Sequence, residues 1–129
     1  LVKDTRELAD LGIQSVAIMS NDSATYPEDS FENMMMVARE RNYPFPYLLD
    51  EQQTIARRFG AVCTPDFFGY NNRLELQYRG RLDASGRESG RDGLKRDLLE
   101  AMKQVALTGN GPSEQIPSMG CSIKWRTSD

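Results

Sequence analysis

The run IQSVAIMS, Ile13 to Ser20, constrains the fold more than any other part of the chain. Val16 to Met19 are apolar without interruption, the pattern of a strand covered on both faces in a parallel sheet with helices packed on each side. Its flanks agree. Leu1, Thr5, Leu8 and Gly12 fall on one helical face before it, with Gly12 suited to the C-terminal cap. After it, the turn-rich NDSATYPED leads to Phe31, Met34, Met35 and Ala38 at helical spacing. Asp29 or Ser30 is available as N-cap, and the helix should run to Glu40.

The alternation continues. RNYPFPYLLD breaks the helix with two prolines and supplies a short strand around Tyr47 to Leu49. Gln52 to Phe59 returns to helix and Gly60 ends it. Phe67 to Tyr70 and Leu74 to Arg79 read as a hairpin joined by Asn71-Asn72. Its Leu74, Leu76 and Tyr78 alternate with Glu75, Gln77 and Arg79, so one face is wet. Leu82 to Gly93 is glycine-rich and reads as a surface loop. Leu94, Leu98, Met102 and Val105 then stripe a final helix, stopped by Gly109 to Pro112.

This order predicts an α/β fold of three layers, a mixed sheet flanked by helices, over residues 1–109. One piece of the pattern is missing. A helix that opens a chain before a buried parallel strand ordinarily follows another strand. Without it, the Ile13 to Ser20 strand lacks a neighbour and exposes apolar surface. The tail, residues 110–129, keeps Ile116, Met119, Ile123 and Trp125, apolar groups that a disordered tail would not need. It is expected to fold back onto the domain.

Composition narrows the chemistry. The 129 residues, 39% hydrophobic and 27% charged, fit one soluble domain. A net charge of −3, from 16 basic and 19 acidic residues, points to neither a nucleic-acid nor a membrane partner. With no secretory signal and no long apolar window, a cytoplasmic location is expected. The chain has no histidine, so a Ser-His-Asp triad is impossible. Its two cysteines cannot build a four-ligand zinc site alone, and no metal or cofactor is expected. They are also too few for a disulfide-stapled secreted scaffold. In Met34-Met35-Met36, the first two read as core rather than as a soft binding surface. Arg79, Arg81, Arg87, Arg91, Lys95 and Arg96 outnumber Asp83, Glu88 and Asp92. They read as a solvated charged loop, with anion steering as the alternative.

Cys63 stands directly before Thr64-Pro65 at the start of the hairpin. An X-Pro bond is cis in roughly 5–6% of cases, and proline at a strand start frees the preceding backbone to face a ligand. The block YPFPYLLDEQQTIARRFGAVCTPDFFGYNNRLELQYRG resembles the second half of a thioredoxin-fold redoxin of the alkyl hydroperoxide reductase and thiol-specific antioxidant type. SNDSATYPEDSFENM, CTPDFF and PSMGCSIKW are similar to a subgroup of uncharacterised thioredoxin-like proteins. The similarity runs from Ile13 to Trp125.

That resemblance implies that Pro65 is cis and faces a redox centre, which in the subgroup is a Cys-x-x-Cys pair at the start of the first long helix. The pair is absent here, so the nucleophilic cysteine and the first strands are expected upstream, and the chain alone is expected to be inactive. Thr64 and Pro65 would shape the substrate groove, and Cys63 and Cys121 would exchange disulfides with a protein disulfide or peroxide, renewed by a thiol reductant. A Cys63–Cys121 bond would close a loop of about 60 residues, worth about 4 kcal/mol in the chain-entropy model. The alternative is two unrelated structural cysteines. At the level of function, the alternative is a non-catalytic thioredoxin-like module whose groove beside Pro65 binds an extended segment of a partner. Homo-oligomerisation is left open.

Overall fold

Helix α1 (Val2–Asp10) turns Asp4, Thr5 and Leu8 inward. Leu8 joins Tyr78, Leu98, Leu99, Ala101, Met102 and Val105 in the core, with Ile13, Phe67 and Leu82 packed against them. The computed structural model describes residues 1–85 and 94–127. Most of the expected loop, including Arg87, Glu88, Arg91 and Asp92, therefore lies outside the described residues.

Two strands, β1 (Ala17–Met19) and β2 (Tyr47–Leu49), pair in parallel with Ile18 opposite Leu48. Between them runs α2 (Phe31–Glu40), capped by the Ser30 hydroxyl, which accepts from the Asn33 amide at 3.2 Å. The strand expected over Ile13 to Ser20 is thus shorter, and only one of its faces is covered. Val16, Ile18 and Leu48 are exposed, as expected for a strand lacking a neighbour. On α2 only Met34 is buried, whereas Phe31 and Met35 face solvent. The core reading of Met35 is therefore corrected: a ten-residue helix lying on a two-stranded ladder has a narrow inward stripe.

Helix α3 (Thr54–Phe59) is closed by Gly60 in the left-handed conformation, and the two-residue strand β3 (Cys63–Thr64) follows. The hairpin forms from β4 (Phe67–Tyr70) and β5 (Leu76–Gly80), with a register shift at Gly69/Tyr70. Its turn is organised by buried Asn71, whose Oδ1 accepts from the amides of Arg73 at 2.9 Å and Glu75 at 3.0 Å. Leu74 belongs to this turn and is exposed, so the expected inward row shrinks to Tyr78. The Tyr78 hydroxyl donates to the Arg81 carbonyl at 2.6 Å. Burial, followed by the Asp97 charge, pushes its pKa up to about 12.

Helix α4 (Asp97–Thr108) supplies most of the core and lies directly on β4. A Cβ at Gly69 would stand 2.3 Å from the Met102 sulfur, so a larger residue there would require the Met102 side chain to move. Full burial of a side chain such as Leu98 contributes about 1.5–3 kcal/mol. Arg96, just before α4, binds buried Asp4 through Nε at 2.9 Å and also reaches Glu7, which joins the first and last helices.

The tail returns across the domain as expected, and its strand β6 (Cys121–Ser122) pairs antiparallel with β3. The described residues therefore form an α/β fold with three two-stranded ladders, β1-β2, β3-β6 and β4-β5. This differs from the single mixed sheet read from the sequence. Among the described strands none bridges the parallel pair to the hairpin. No described helix is long and apolar enough to cross a membrane.

Candidate functional site: the Cys63–Pro65 corner

Gly60 ends α3 in a left-handed turn, and the chain then straightens through Val62 into β3. The Thr64–Pro65 peptide is cis, as the resemblance implies. Pro65 is exposed, and Cys63 and Thr64 are half-buried. Val62, Cys63, Asp66, Arg79, Pro117 and Ser118 line a pocket of about 240 Å³.

The Cys63 sulfur lies 3.7 Å from the Pro65 carbonyl oxygen and 3.8 Å from that of Ser118, so its weak S–H donor has two acceptors. Arg79 is held from three sides: it donates to the Gly60 carbonyl at 2.7 Å, lies 3.4 Å from the Asp66 carboxylate, and stacks 5.0 Å above the Phe68 ring. Burial pushes the Cys63 pKa up, the Asp66 charge adds to this, and Arg79 opposes it. The thiol therefore keeps its proton near neutral pH. That suits a sulfur which reacts when a disulfide is presented to it, not a standing thiolate.

The structure does not unite the two cysteines. Thr64 is opposite Cys121, and Cys63 is opposite Ser122. Directly opposed residues share a face of a ladder and successive residues alternate, so the Cys63 and Cys121 side chains leave opposite faces. Both thiols are free and Cys121 is exposed. Of the two alternatives read from the sequence, a Cys63–Cys121 bond or two separate cysteines, this structure matches the second. The Thr64 hydroxyl meets the Cys121 carbonyl at 3.4 Å.

Sequence reasoning missed Asp66, Pro117, Ser118 and Gln53. Asp66 follows Pro65 directly, so an inspection of charges near the thiol would have found it. Gln53 carried no signal: it reads as a surface polar residue, yet it is 1% exposed. Its amide donates to the carbonyls of Ser20 and Lys124, both at 2.8 Å, and its carbonyl accepts from the Arg126 amide at 2.9 Å. Arg57 also stacks 4.5 Å above the Trp125 ring. Among the described residues, no group of three or more His, Cys, Asp or Glu side chains could hold a metal ion.

The same architecture occurs in solved structures. An uncharacterized conserved protein from Geobacillus kaustophilus is 45% identical with a TM-score of 0.89, the match covering 100% of this chain and 68% of that one. A hypothetical protein from Sinorhizobium meliloti 1021 is 38% identical with a TM-score of 0.88, covering 98% of this chain and 69% of that one. The chain belongs to the family of these two proteins. No family model matches it, and no curated protein does. Both relatives are described only as hypothetical or uncharacterized, and about two thirds of each is shared.

Proposed function

We propose that the chain is a thioredoxin-like module of a thiol–disulfide exchange protein, with Cys63 as its resolving thiol. The observation that carries this reading is the pocket that receives the Cys63 sulfur beside Pro65, with the Asp66–Arg79 pair on its wall. In this reading the first attacking thiol is neither of the two cysteines of the chain.

In the resolving step, Cys63 meets a mixed disulfide between that first thiol and the substrate. Cys63 releases its proton to solvent, and its thiolate attacks the sulfur of the first thiol. A new S–S bond joins Cys63 to that sulfur while the old one breaks. The substrate leaves as a thiolate and takes up a proton. Over both steps the two protein thiols lose two electrons and the substrate disulfide gains two. An external thiol reductant restores the pair. Arg79 stabilises the transient negative charge, and the raised Cys63 pKa keeps the thiol protonated between turnovers.

The test is exchange with 2-hydroxyethyl disulfide, followed by peptide mapping of Cys63 and Cys121 separately. A mixed disulfide at Cys63, forming faster as pH rises, supports the reading. Complete modification of Cys121 with Cys63 untouched refutes it.

A further inference from the structure

An extended polypeptide docks at a sheet edge through backbone hydrogen bonds. At the Pro65 corner the strand that would receive it is β3, and its edge at Thr64, the residue before Pro65, is already paired with the tail. The tail pairs with it in antiparallel register, Cys63 to Ser122 and Thr64 to Cys121, and the Ile123 amide donates to the Val62 carbonyl at 3.2 Å. A Cβ at Gly120 would stand 2.2 Å from the Thr64 carbonyl oxygen, so the tail lies flush on the residue before Pro65.

The tail is fastened on both sides of this contact. Before it, the Arg81 amide donates to the Ile116 carbonyl at 2.9 Å, and the Ser118 hydroxyl donates to the Gly80 carbonyl at 2.6 Å. After it, Ile123 is 5% exposed, the Lys124 amide donates to Asn21 Oδ1 at 2.9 Å, and the Lys124 carbonyl accepts from the Asp22 amide and the Gln53 side chain, each at 2.8 Å. Between these anchors a pocket of about 240 Å³ opens beside Cys63.

We propose that β6 is a built-in specificity element that limits the Cys63 site to disulfides of low molecular mass and excludes extended polypeptide disulfides. The proposal rests on the exchange reading above. It also replaces the sequence-based alternative in which the groove beside Pro65 binds an extended partner segment, because the chain's own tail takes that place.

The experiment compares two probes, 2-hydroxyethyl disulfide and the disulfide dimer of an unstructured decapeptide, on the folded protein. Rates at Cys63 are normalised to those at exposed Cys121. A peptide must first lift a tail held by ladder hydrogen bonds and a buried isoleucine, so its normalised rate at Cys63 should be about 100-fold below that of the small probe. Gly120→Val forces the tail off Thr64 and should restore about tenfold of the peptide rate. Gln53→Met loosens the tail from its other anchor and should act in the same direction, while Met119→Ala, at an exposed position, should leave the ratio unchanged. Equal normalised rates for both probes in the unaltered protein overturn the proposal while leaving the exchange reading intact. No adduct at Cys63 with either probe refutes both.

Discussion

Replacing Gln53 with Met keeps the length of the side chain and removes all of its hydrogen bonds. The consequence follows from its three partners. The Lys124 carbonyl keeps the Asp22 amide at 2.8 Å, so it stays satisfied. The Ser20 carbonyl belongs to a buried residue and loses the Gln53 amide, a cost of about 1–3 kcal/mol for an orphaned buried acceptor. The Arg126 amide belongs to a half-exposed residue and turns to water, at about 0.5–1.5 kcal/mol. Together these give a loss of about 2–4 kcal/mol. In a domain of this size each kcal/mol moves the Tm by about 3–4 °C, so the midpoint should fall by about 10 °C. Thermal unfolding followed by circular dichroism gives the midpoint, and amide hydrogen exchange at Ile123 reports whether the tail has loosened. A Tm within about 3 °C of the unaltered protein, with the Ile123 amide still protected, would refute the anchoring role given to Gln53.

Three further outcomes follow from the same geometry. Because burial and then the Asp66 charge raise the Cys63 pKa while Arg79 lowers it, alkylation of Cys63 by iodoacetamide should accelerate about tenfold per pH unit from neutral pH upward. Asp66→Asn should move that profile to lower pH and Arg79→Gln to higher pH, and identical profiles in both variants would contradict the assignment. Arg96→Met leaves Asp4 buried without its partner and should cost about 2–3 kcal/mol in urea unfolding, against almost nothing if the bridge is a solvated surface pair. The Thr25 hydroxyl, with the Thr25 and Ala24 amides, holds the Asp22 carboxyl below its ordinary range, and Arg96 does the same for Glu7. Their stabilisation is present above the unfolded carboxylate range and is lost as pH falls through the depressed folded values. Asp22→Asn should therefore flatten the fall in Tm below about pH 4, and an unchanged slope would count against it.

The fold was legible wherever burial imposed a period. Leu98, Met102 and Val105 were readable because α4 packs one stripe against the core, and the hairpin was readable from its turn residues, although only Tyr78 of its alternating row is buried. Legibility failed where a short element has one wet face, as with Met35 on α2 and Ile18 on β1, since hydrophobicity alone cannot say which side is covered. The Cys63-Thr64-Pro65 corner announced itself through residue type. Its environment did not: β3 and β6 are two residues each, too short for any period, and their register depends on Ile123 and on Gln53, more than fifty residues apart in sequence. Whether the two cysteines pair was open in the sequence for the same reason, because only the register places their side chains on opposite faces.

A crystal structure of the protein treated with 2-hydroxyethyl disulfide tests the central claim most directly. The account predicts a hydroxyethylthio group bonded to the Cys63 sulfur, lying in the pocket between Arg79 and Ser118, with β6 still paired to β3. A group found at Cys121 alone, or one bound to Cys63 only where the tail has left Thr64, would contradict it.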